Sequence, residues 1–254
     1  MTAEWFPSGL FADDLFPLAA RVAGIALLVT GAELTAALPG LARWRRPDAA
    51  AGPRWVLAHR MIALLPALLG GWFLVDPRAC LSGGGLAAVL ILGYLMVALQ
   101  PLGDGADIML MIVLAGLGVL WLVPSTALTD WAAWLVALNV CLAYLWSGVA
   151  KLRVPAWRHG RQVALAVNSP RFGSAQIAWH MLNRPTITRL TAWSVILIEV
   201  SCPIFLILGG WPLIAWMVCA ILMHVSVAII MGLGRFLWSF GAGLFAMAGA
   251  RLLV

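Results

Sequence analysis

The sequence predicts an all-α fold: a polytopic transmembrane helix bundle of about eight spans, with interfacial helices in one long connection. Three observations carry this. Of the 254 residues, 63% are hydrophobic and 10% charged, whereas an ordinary soluble domain is about a quarter charged. The apolar residues gather in runs of roughly 17–23, close to the ~20 that a ~30 Å hydrocarbon core requires. No run alternates with period two, which argues against a barrel. Backbone groups in lipid must bond within their own segment, so the runs are helices.

The elements follow in order. Met1 to Asp14 carries acids and no basic stretch of the kind that opens a cleavable leader. The first run, 16–38, is therefore expected to remain a span. Its Arg21 and Glu33 are about 18 Å apart along a helix and cannot pair within it; Arg21 is expected to snorkel and Glu33 to lie near the opposite boundary. Residues 39–55 read as a polar loop holding Arg43, Arg45, Arg46 and Arg54. The second run is 56–75. Asp76-Pro-Arg and the Ser82-Gly-Gly-Gly hinge occupy the connection 76–85. Runs 86–102 and 107–123 flank the tight turn Gly103-Asp-Gly-Ala-Asp107, where Asp104 and Asp107 suit turn formation and helix capping.

The fifth run is 131–150. Residues 151–189 form the longest connection, too polar to cross and too apolar to be a free linker. One or two helices lying in the membrane interface are expected there. Runs 190–209 and 212–231 are joined by Gly209-Gly-Trp-Pro212 and should pack as a hairpin; 236–253 is the last. No internal repeat or low-complexity tract interrupts residues 1–254, so they read as a single integral membrane domain.

The net charge of +6 does not point to nucleic acid, because the basic residues flank spans. With eight spans, thirteen basic residues fall on the face of the loops after spans one, three, five and seven. Arg21, Arg78 and Arg251 fall on the other. That split favours a cytoplasmic basic face, with both termini outside. The expected partners are membrane lipids. Cys80, Cys141, Cys202 and Cys219 have no paired spacing; three lie in apolar runs, where cysteine acts as a small hydrophobe. No HExxH, P-loop, GxSxG or dinucleotide fingerprint appears, so no metal site is expected.

Ionisable groups inside spans cost about 2.5–3.5 kcal/mol each and need a reason. Glu199 sits mid-span, four residues before Pro203, which cannot donate to the residue-199 carbonyl and is expected to kink the helix there. His224 sits mid-span in the next run. Both lie at similar depth around the hairpin turn, so a Glu199–His224 pair is geometrically open. The bland alternatives are a protonated glutamate bonded to a neighbouring helix and a histidine packed in the core.

The most informative stretch is Tyr144-Leu-Trp146-Ser147-Gly148-Val-Ala-Lys151-Leu-Arg-Val-Pro-Ala-Trp157-Arg158-His-Gly160. A lysine where an apolar run ends either snorkels to water or is held in a dry pocket as a neutral amine. Only the second reading is chemistry, because a neutral amine is a general base. Trp146 and Trp157 are candidate apolar walls around it. The basic segment from Arg158 onward is a candidate holder of an anionic group.

This stretch resembles the signature of the HTTM family, bacterial membrane proteins related to the vitamin K-dependent γ-glutamyl carboxylases. The pattern is an aromatic residue, Ser/Ala-Gly, Lys-Leu, Trp and then Gly, here Tyr144, Ser147-Gly148, Lys151-Leu152, Trp157 and Gly160. Arg21, the Gly103-Asp104 turn, Glu199 with Pro203, and His224 with Gly232 and Phe236 resemble further family motifs in the same order. The resemblance implies that Lys151 is the base that deprotonates a reduced quinone, with Glu199 and His224 as relays or hydrogen-bond partners. It also implies a lumenal lysine, opposite to the arginine count, and a bacterial inner membrane. Two features depart from the carboxylases. Ala150-Lys151 stands where they have Lys-Lys, and no counterpart of their large lumenal domain is present, so peptide carboxylation is not expected. The leading expectation is a membrane enzyme acting on a quinone or lipid-like substrate. The alternatives are a non-catalytic subunit of a larger membrane complex that binds lipid or quinone, and a small-solute transporter.

Overall fold

The computed structural model describes residues 12–45, 53–99, 104–120, 122, 126–169 and 173–253. Gly103, Arg46 and Arg171 lie outside the described residues, as do Met1 to Phe11. Among the described residues the chain is all-α, without a strand. Apolar side chains line almost every turn, and the backbone closes its hydrogen bonds locally, as lipid demands.

Among the described residues twelve α-helices follow one another. They are α1 (Ala12–Arg45), α2 (Pro53–Val75), α3 (Pro77–Ala79), α4 (Gly85–Leu99), α5 (Gly105–Val119), α6 (Thr126–Arg153), α7 (Pro155–Arg158), α8 (Arg161–Val167), α9 (Ala175–Leu182), α10 (Pro185–Leu208), α11 (Gly210–Met231) and α12 (Gly234–Leu252). Six helical stretches among them are long and apolar enough to cross a membrane: Asp14–Leu38, Leu57–Val75, Pro77–Ala98, Ala127–Arg153, Pro185–Leu208 and Gly210–Met231. The two remaining expected spans fall on α5 and α12. With 15 residues, α5 is about 22 Å long, short of a ~30 Å core. Glycine, alanine and serine dilute the apolar content of α12.

Two connections differ from their expected form. Residues 39–45, read as the start of a polar loop, continue α1 to Arg45. The stretch 76–85, read as a hinge loop, is wound instead. Asp76 caps α3 by accepting from the Arg78 amide at 3.0 Å, and a π-helical turn, Cys80–Gly84, leads directly into α4. The break is confined to Ser82 and Gly83, the latter at φ 109°. Only glycine takes that left-handed conformation freely.

The chain divides into two compact units. One comprises residues 11–136 and 238–253, the other chiefly 137–237, so the boundaries fall within α6 and α12. In the first unit α1 and α2 run antiparallel and almost touch. A Cβ on Gly70 would lie 2.3 Å from the Gly24 carbonyl oxygen. Leu34, Leu38, Ala63 and Leu95 form a buried cluster uniting α1, α2 and α4. Asp104 caps α5, accepting from the amides of Ala106 at 3.0 Å and Asp107 at 3.1 Å. An anionic cap also complements the positive end of the helix.

In the second unit α10 and α11 form a hairpin with a single intervening residue, Gly209. Gly209 and Gly210 both have positive φ, 66° and 53°, and together they reverse the chain. Of residues 151–189, expected to be one connection with one or two interfacial helices, 151–153 instead end α6 and 185–189 begin α10, and the stretch between them holds three short helices, α7, α8 and α9. They fold over the first turns of α10. Gly160, at φ 84°, lets the chain cross α10 so closely that a Cβ there would lie 2.7 Å from the Arg189 nitrogen.

Candidate functional site

The site is assembled on α6. Tyr144, Ser147, Gly148 and Lys151 stand at i, i+3, i+4 and i+7 and therefore share one helical face. Gly148 brings that face against α10. A Cβ at this position would meet Val200 Cγ2 at 2.7 Å, and Glu199 Cβ and the Val200 nitrogen at 2.9 Å. The close approach lets both polar residues flanking Gly148 reach one carboxylate.

Lys151 Nζ donates to Glu199 Oε1 at 2.7 Å, to Glu199 Oε2 at 2.8 Å and to Ser147 Oγ at 2.5 Å. Ser147 Oγ donates to Glu199 Oε1 at 3.1 Å. The lysine and glutamate side chains are 18% and 9% exposed. Three acceptors match the three donors of a protonated amine. The amine is thus shielded, as a dry pocket requires, but it is held as one half of an ion pair. Such a pair is stable in an apolar setting only when its hydrogen bonds are well formed. Nζ also lies 5.3 Å from the centroid of the Trp157 ring, a cation–π distance.

The expected Glu199–His224 pair is replaced by two separate ones. Glu199 faces Lys151, and His224 Nε2 is 2.8 Å from the Tyr144 hydroxyl. Both members of the second pair are buried. Lys151–Glu199–Ser147 and Tyr144–His224 thus occupy successive turns of the same α6 face.

Trp216, which sequence reading missed, braces this arrangement from α11. Its ring meets Tyr144 edge-on at 5.2 Å, and its indole N–H donates to the Ile198 carbonyl at 2.9 Å, one residue before Glu199. The available signal was its position two turns before His224. Cys141 and Cys202, which have no paired spacing in the sequence, are both buried free thiols. Each stands three residues from a site residue, Tyr144 or Glu199.

Other expected site residues are placed elsewhere. Trp146 is 69% exposed and forms no wall beside Lys151. Arg158 is exposed on α7. Helix α10 continues unbroken through Pro203, which still deprives the Glu199 carbonyl of its helical donor. Gly160 positions α8, and Asp104 and Asp107 belong to the start of α5 in the other unit. Arg21 and Glu33 are exposed on α1. His59 stacks on Tyr94 at 6.5 Å, while His159 and His180 are exposed. Among the described residues no three metal-ligating side chains converge.

Fold and site together define a multi-pass, all-helical membrane protein with a shielded Lys–Glu–Ser cluster between two of its long helices. No family model, no curated protein and no solved structure matches the chain.

Proposed function

We propose that this chain is an HTTM-type protein of the bacterial inner membrane, and an enzyme that moves a proton between Lys151 and a lipid-soluble substrate of the quinone class. One observation carries the reading: the amine of Lys151 lies 2.7 Å from a carboxylate oxygen among apolar helices. Proton transfer along that bond leaves a neutral pair, which apolar surroundings penalise less than two charges. With the proton on Glu199, Lys151 is a neutral amine whose lone pair can accept a proton from a quinol hydroxyl. With the proton on Lys151, the ammonium can stabilise the resulting oxyanion. Both effects are stronger where water is scarce. Ser147 orients the amine, and the Trp157 face offers an apolar surface for a flat ring. Tyr144 and His224 form a second exchangeable pair one turn away.

The test uses protein purified in mild detergent and mixed with a reduced naphthoquinone in air. Quinol consumption and oxygen uptake above the uncatalysed rate are expected, and both should be lost in Lys151→Ala and in Lys151→Arg, whose guanidinium does not act as a base. Full activity in both variants would remove the base role. The satisfied donors of Lys151 also favour a second reading, in which the pair is an interhelical clamp in a non-catalytic subunit. Partner subunits that co-purify, and that remain bound to Lys151→Ala, would support that reading.

A further inference from the structure

The helices α8 and α9 fold inward on small and apolar side chains. Val163, Ala164, Val167 and Ala178 are buried. Gly160 crosses the α10 backbone, and Thr188 Oγ1 donates to the Met181 carbonyl at 2.5 Å. The outward face is different. Arg153, Arg158, Arg161, Arg184 and Arg189 are all exposed, and no acidic residue occurs anywhere from Lys151 to Arg189. Interleaved with these cations are large apolar side chains left open. Trp179 is 62% exposed, Ile187 52% and Leu182 51%. The first turn of α10 has neither an acidic residue nor a capping side chain, so its positive end adds to the same field.

An outer surface that is both cationic and apolar suits neither bulk water nor hydrocarbon. It suits the headgroup zone, where indole and aliphatic groups enter the acyl boundary and guanidinium groups meet phosphates. The arginine fork pairs with two phosphate oxygens at once. With no carboxylate in the segment to neutralise these arginines, the complementary charge must come from elsewhere.

We infer that the outer face of α7–α9 and the start of α10 is a docking surface for anionic phospholipid, selecting phosphatidylglycerol-type headgroups from the leaflet it touches. This is independent of any proton chemistry at Lys151. Attraction to an anionic leaflet grows with each arginine near its surface, so loss of three of the five should remove most of the preference.

The experiment reconstitutes the full chain in phosphatidylcholine vesicles containing a spin-labelled lipid. The motionally restricted fraction is compared for labelled phosphatidylglycerol and labelled phosphatidylcholine. The expected result is a severalfold preference for phosphatidylglycerol that falls in 0.5 M salt. It should approach unity in Arg161→Gln/Arg184→Gln/Arg189→Gln and be retained in the corresponding triple lysine variant, which controls for folding. Inorganic phosphate at 10 mM should not displace the labelled lipid. Equal association of the two lipids in the unmodified protein would overturn the inference, as would an undiminished preference in the glutamine variant. Displacement by phosphate would assign the surface to a soluble anion instead.

Discussion

Gly148→Ala tests the geometry on which the site depends. The added methyl would lie 2.9 Å from the Val200 nitrogen and from Glu199 Cβ, whereas ordinary contact begins at 3.4 Å. The Val200 side chain can rotate away, but the backbone nitrogen cannot. Helices α6 and α10 must therefore separate by about half an ångström, which lengthens the 2.7 Å Lys151–Glu199 contact toward the limit of a hydrogen bond. Overpacking of this kind costs about 1–3 kcal/mol. For a chain of this size, ~2 kcal/mol corresponds to a fall in Tm of about 4–8 °C. Thermal unfolding in detergent can be followed by alkylation of Cys80, Cys141 and Cys202, all buried in the folded protein. A Gly148→Ala variant as stable as the parent would refute the reasoning, because it would mean that the two helices do not approach as closely as described.

Three further outcomes follow from the same contacts. Lys151→Met should destabilise more than Glu199→Leu, because it strands a carboxylate with only Ser147 for company, whereas the lysine, two residues before the end of α6, can swing to the interface. Breaking such a pair costs up to about 3–5 kcal/mol, while the double apolar replacement should be near neutral; denaturation midpoints of the two single variants and the double variant decide this. Trp216→Phe keeps the ring contact with Tyr144 but loses the bond to Ile198, at a cost of about 1 kcal/mol, read as a Tm lowered by about 2–4 °C. Gly160→Ala combines a positive φ with a 2.7 Å clash against Arg189; it should loosen α7–α9 from α10, seen as faster proteolysis within residues 155–183 while α11 stays protected.

Much of this was legible in the sequence because lipid imposes strict rules. Long apolar runs had to be helices, and six of them coincide with helices able to cross. The short α5 shows the limit of composition: an apolar run announces a helix but not its length. The loop expectation at 39–45 went astray because polar residues there extend α1 instead of ending it. At the site, the spacing of Tyr144, Ser147 and Lys151 already placed them on one face. Depth arithmetic brought Glu199 and His224 level but could not choose among partners at that level. The choice rests on the close approach at Gly148, a property of two helices together that neither sequence segment encodes alone. Trp216 was missed for a similar reason, since its indole becomes informative only when the Ile198 carbonyl lies opposite.

The one-residue link at Gly209 acts as a ruler. Helices joined by one residue have little freedom to change register, which keeps His224 in line with Tyr144 and Trp216 beside Ile198. A residue inserted within α11 between Trp216 and His224 would turn one of them by about 100° relative to the other and break one of the two contacts. Natural length variation in this half of the molecule should collect in the stretch between α8 and α9.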